Sequence, residues 1–155
     1  MPIRKHLRLK NYDYSKEGAY FVTICTKEGG DYFGRIKNGD MILNDLGRMI
    51  ERIWNEIPQN YPGIEIDPYW PAQGPASTDQ FSLSDIMHRF KSLTTSLYKK
   101  DFSGNIDNFN RRLWHRSFYD RIIRNEKELN DVRAYITNNP KQWEFDGRDE
   151  ALPRL

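Results

Sequence analysis

Residues 33–57, FGRIKNGDMILNDLGRMIERIWNEI, carry the change of period that decides the fold. Two short runs, Tyr32–Lys37 and Met41–Leu43, flank Asn38-Gly39. Asn-Gly suits a two-residue turn whose twist matches that of paired strands, so a β-hairpin is predicted. Directly after it, Leu46, Met49, Ile50, Ile53, Trp54 and Ile57 recur at helical spacing. That spacing places them on one face of a helix. Asn44 or Asp45 can cap the helix, and Pro58 is expected to end it.

On the N-terminal side, Tyr20–Thr26 (YFVTICT) is aromatic and β-branched and reads as a strand. On the C-terminal side, Gly63–Trp70 (GIEIDPYW) alternates at Ile64 and Ile66 and predicts another strand. Pro71–Gln80 reads as a loop by its Pro, Gly and Ser content. A second helix is expected from Ser82, with Asp85 completing a capping box. Leu83, Ile86, Met87, Phe90, Leu93 and Leu97 form its expected buried stripe. After a polar loop, Ser103–Asn110, comes the basic, aromatic segment Arg111–Tyr119 (RRLWHRSFY). A last helix is predicted near Asn125, with Glu128 in the capping-box position and Leu129, Val132 and Ile136 on its inner face. Asn138-Asn139-Pro140 is expected to stop it. Residues 1–143 read as one domain with a basic arm over 1–19, and 144–155 as a tail. The class is α+β, with helices packed on an antiparallel sheet.

Charge is distributed in blocks. Basic residues number 8 against 4 acidic in residues 1–39, 2 against 8 in 40–85, 9 against 3 in 86–124 and 5 against 7 in 125–155. Two basic blocks around an acidic one suit a phosphate backbone on one face. The only cysteine is Cys25, so no intramolecular disulfide can form; a buried, inert thiol in a reducing compartment is the reading. No apolar run reaches membrane-span length, and the N-terminus lacks the apolar core of a signal peptide, so a cytoplasmic protein with no membrane contact is expected. Trp54 and Trp143 read as core or edge packing.

Five segments in order resemble one family: Arg8–Tyr14 (RLKNYDY), Gly18–Thr26 (GAYFVTICT), Phe33–Asp45 (FGRIKNGDMILND), Phe90–Thr95 (FKSLTT) and Trp114–Pro140 (WHRSFYDRIIRNEKELNDVRAYITNNP). Together they resemble the REP-associated tyrosine transposases, a branch of the single-tyrosine, HUH-type transposases. The resemblance implies a ferredoxin-like antiparallel sheet packed by helices. It also implies chemistry on single-stranded DNA, in which a tyrosine hydroxyl attacks a phosphodiester and a 5′-phosphotyrosine forms. The matching residue is Tyr119. The family's divalent metal, such as magnesium or manganese, is held by a His–hydrophobic–His pair on a central strand and polarises the scissile phosphate.

The histidines of this chain are His6, His88 and His115, and no two lie two residues apart. If Pro71 matches the proline before the family's first histidine, Gln73 and Pro75 occupy the ligand positions; if a segment is deleted, the strand itself is gone. The expected sheet therefore has its histidine-bearing strand absent or replaced, and no bound metal is expected. His88 and His115 read as surface or DNA-facing residues.

DNA contacts are expected from Arg4, Lys5, Arg8 and Lys10 of the arm, from Lys91, and from Arg111, Arg112, Arg116, Arg121 and Arg124, with Trp114, Phe118 and Tyr119 interleaved as stacking platforms. The leading function is binding of single-stranded or hairpin DNA without strand cleavage. Its rivals are an active tyrosine nuclease using another metal site, and a protein-interaction module that does not bind DNA. Loss of an inner strand leaves an edge open, so either Gly63–Trp70 moves inward or two chains pair; a homodimer with its interface near Gly63–Trp70 is the expectation.

Overall fold

The computed structural model describes residues 13, 18–27, 31–67, 73–74, 81–102 and 112–146. Along the chain run β1 (Ala19–Thr23), β2 (Gly34–Lys37), β3 (Asp40–Leu43), α1 (Asp45–Asn55), α2 (Ile57–Asn60), β4 (Gln73–Gly74), α3 (Leu83–Asp101), β5 (Tyr119–Ile123) and α4 (Glu126–Asp146). A three-stranded antiparallel sheet has the order β4-β1-β5, and β2 and β3 form a separate hairpin. The α+β class is the one the periodicities predict.

The hairpin turns where Asn38 and Gly39 take positive φ, 56° and 77°. Both values fit the turn type that Asn-Gly favours. Asn44 caps α1, its Oδ1 accepting the Gly47 N–H at 2.8 Å. Its Nδ2 donates to the Tyr32 carbonyl at 2.8 Å, which ties the helix start to the hairpin. Gly47 lies so close to that hairpin that a Cβ there would stand 2.0 Å from the Phe33 carbonyl oxygen. At α3, Ser82 and Asp85 form the reciprocal capping box expected of them.

The core is one cluster. Tyr20 and Val22 of β1 meet Leu46, Met49, Ile53 and Trp54 of α1 and Leu83, Ile86, Met87 and Phe90 of α3. Each such aliphatic side chain, once buried, stabilises the fold by roughly 1.5–3 kcal/mol. Trp54 meets Phe90 edge-on at 5.2 Å.

Several expectations are corrected. Residues 63–67 form no strand; Ile64 is instead a buried anchor, and Asp67 binds Arg133. The partner of β1 on that side is Gln73–Gly74, with Tyr20 opposite Gly74 and Phe21 opposite Gln73. Prolines 71 and 75 flank this pair of residues, and a proline supplies no ladder N–H, which suits so short a strand. α1 does stop before Pro58, at Asn55, and Pro58 itself sits in the first turn of the short α2, where a missing N–H costs nothing. Pro140 lies inside α4, which continues to Asp146 with Lys141 packed close to Gly39 of the hairpin. Leu93 is exposed, and the buried place at that level of α3 belongs to Thr94. Trp143 is exposed too.

Candidate nucleic-acid interface

Strand alternation sorts β1 and β5 into two faces. Tyr20 and Val22 are buried in the core, and Ile122 packs against it. Their neighbours Ala19, Phe21 and Thr23, with Tyr119, Arg121 and Ile123 opposite Thr23, Phe21 and Ala19, share the other face. Helix α4 lies over this second face through Tyr135, whose ring meets Phe21.

Tyr119 begins β5 and is 48% exposed. Arg121 stands two residues on, its guanidinium 3.6 Å from Glu128. Glu128 also accepts the Arg124 N–H at 2.9 Å, and Asn125 Oδ1 accepts the Glu128 N–H at 2.9 Å. That backbone bond, aided by Arg121 and Arg124, holds the Glu128 carboxyl below its usual range. Arg112, Arg116 and Arg124 are exposed, as is His115. The structure therefore brings Arg116, Tyr119 and Arg121 onto one exposed stretch of chain.

Two residues expected at DNA have other partners. Trp114 is buried, donates from Nε1 to Thr94 Oγ1 at 2.9 Å, and lies 5.2 Å from Phe33 and 6.1 Å from Phe90. Its ring is core and offers no platform for a base. Phe118, interleaved with the arginines in sequence, is buried as well. Lys91 turns its ammonium onto the backbone carbonyls of His115, Arg116 and Ser117. His88 is exposed on α3. Arg4, Lys5, Arg8, Lys10, Arg111 and Pro75 lie outside the described residues, as does the side chain of Gln73.

Sequence reasoning missed Tyr135. It is 40% exposed on α4 and touches Phe21, the residue opposite Gln73 and Arg121. Its position one turn before Pro140 reads as an ordinary helix surface, and only the packing of α4 on the sheet reveals it. Arg133, on the same helix, donates through Nε and Nη2 to Asp67 Oδ2 at 3.0 and 2.5 Å. This pair ties α4 to the segment that leads toward β4.

A family model described as "Transposase IS200 like" matches residues 76–139. A protein of Haemophilus influenzae, described only as uncharacterized, is 34% identical over 170 aligned positions, covering 92% of this chain and 91% of that protein. The aligned positions outnumber the 155 residues of this chain, so the relative carries residues with no counterpart here. Among the described residues, no helix is long and apolar enough to cross a membrane.

Proposed function

We propose, from the match of residues 76–139 to the IS200-like transposase model, that this chain is a member of that family and binds single-stranded or hairpin DNA without cutting it. The observation that carries the proposal is the exposed arginine and tyrosine face of β5, set on a sheet whose other face is core. Arginines on such a face release counterions from phosphates, and exposed rings accept stacked bases. The five sequence segments support the REP-associated branch of the family, and a soluble cytoplasmic place of work goes with it.

Tyr119 holds the position that the resemblance gives to the nucleophile, and Tyr135 stands on the same side of the sheet. A neutral phenol is a weak nucleophile unless a base or a metal assists it. The donor set for the family's metal is poor. The three histidines are not paired, and among the described residues no three His, Cys, Asp or Glu side chains converge.

Among the described residues, β4 pairs with β1 at Tyr20 and Phe21. A second copy covering the rest of that edge is part of the proposal. Light scattering at micromolar concentration should give a dimer, and a clean monomer would remove that part.

The function itself is tested on paired gels. Labelled hairpin DNA should be retarded by the protein on a native gel and run intact, without attached protein, on a denaturing gel. Cut DNA would favour the nuclease. No retardation at low salt would favour the interaction module.

A further inference from the structure

The β1–β5 ladder is interrupted next to Tyr119. Thr23 pairs with Tyr119, and the next bridge joins Thr26 to Trp114. Between these pairs, Ile24 and Cys25 face a longer stretch, His115 to Phe118. The surplus residues form a bulge. His115 N–H still donates to the Cys25 carbonyl at 2.8 Å, and Lys27 N–H to the Leu113 carbonyl at 3.0 Å. A bulge disrupts the ladder and leaves backbone groups to find other partners.

The carbonyls of this bulge converge on one cation. Lys91 Nζ lies 2.5 Å from the His115 oxygen, 3.0 Å from that of Arg116 and 3.3 Å from that of Ser117. An ammonium carries three N–H donors, which matches three acceptors. The base of this lysine is fixed, because the neighbouring Phe90 and Thr94 of α3 sit in the core, and Thr94 holds Trp114 at the foot of the bulge. Burial pushes the Lys91 ammonium below its usual range and the Cys25 thiol beside it above its own. The carbonyls, not a thiolate, are thus the partners that hold the charge. With these carbonyls turned toward Lys91, the side chains of His115, Arg116 and Ser117 are exposed.

We propose that Lys91 is a positioning residue: its ammonium replaces the missing ladder partners of the bulge and so fixes how Arg116 and Tyr119 are presented to nucleic acid. The second half of this statement rests on the DNA-binding reading above. The first half does not. Lys91 touches no phosphate in this role, although a lysine in a basic block invites that reading.

Lys91→Met keeps the length of the side chain and removes the charge. In the full chain, amide hydrogen exchange at residues 115–119 should quicken roughly tenfold in this variant, the factor for about one net hydrogen bond. Exchange in α1 should stay as it was. Methylammonium added to Lys91→Ala should restore part of the protection, whereas an uncharged alcohol of similar size should not. Hairpin affinity should fall roughly tenfold with the slope of log affinity against log salt unchanged, because no phosphate contact is lost. Unchanged exchange at 115–119 would overturn the proposal. So would a salt slope lowered by about 0.7, the mark of one lost contact to a single strand. If the unsubstituted chain binds no DNA but exchange responds as described, the DNA reading fails and the bulge role of Lys91 stands.

Discussion

The ring of Tyr135 stands edge-on to that of Phe21, with centroids 6.1 Å apart and planes at 86°. Phe21 is flanked in register by Gln73 on one side and Arg121 on the other. This places a tyrosine of α4 over the sheet that carries Tyr119, so two phenols share one side of it. On the non-cleaving reading, which rests on the absence of a His–hydrophobic–His pair from the sequence, neither phenol should form an adduct. Hairpin DNA incubated with manganese should leave the protein at its own mass on a denaturing gel. A covalent adduct that disappears in Tyr119→Phe or Tyr135→Phe would identify the nucleophile and overturn the non-cleaving reading.

Arg133→Ala should destabilise the chain on the order of 3 kcal/mol, because it breaks a pair whose carboxylate, that of Asp67, is 8% exposed. Arg52→Ala is the control. Arg52 and Glu56 are exposed and 3.9 Å apart, and such a pair contributes about 0–1 kcal/mol. Urea unfolding of the two variants compares them directly. Equal midpoints would show that the Asp67 contact does not hold α4 in place.

Gly47→Ala reverses the usual ranking of helix formers. Alanine in a helix is favoured over glycine by about 1 kcal/mol. Here its Cβ would meet the Phe33 carbonyl oxygen at 2.0 Å, a backbone atom held by the Asn44 N–H at 2.9 Å. The variant should melt lower than the parent, and a higher melting temperature would mean that α1 and the hairpin are less closely docked.

Two helix caps give a pH dependence. Hydrogen bonds from Ser82 hold the Asp85 carboxyl below its usual range, and the Arg124 N–H does the same for Glu128. A carboxyl whose folded pKa is depressed contributes stability above its unfolded pKa, and that contribution is lost as pH falls through the folded value. Melting temperature should therefore be level near neutrality and fall as pH drops through and below the ordinary carboxylate range. The fall should be shallower in an Asp85→Asn, Glu128→Gln double variant. An identical acid limb in that variant would show that the caps are not its source.

Much of the frame is legible in the sequence because its signals are local. Asn38-Gly39 states a turn, Ser82 and Asp85 state a helix start, and the stripe from Leu46 to Ile57 states a buried face. What escapes depends on distant partners. Leu93 fits the apolar stripe of α3, yet Thr94 is buried because it accepts the Trp114 indole N–H. Ile64 and Ile66 alternate like a strand, yet Ile64 anchors an irregular segment in the core. Of the candidate site, the arginines and Tyr119 are visible as a basic, aromatic run. The roles of Lys91 and Tyr135 are set by a bulge 24 or more residues away and by a helix folding back over the sheet, and neither leaves a local pattern.

The central claim, a phosphate-binding face on β5 and the segment before it, is tested most directly by hairpin affinity measured over a range of salt concentrations. Arg112 just before the bulge and Arg116 within it are exposed. The Arg112→Ala, Arg116→Ala double variant should bind every hairpin sequence more weakly, with the slope of log affinity against log salt reduced by about 1.4, two contacts at about 0.7 each. An unchanged affinity and slope in that variant would contradict the claim.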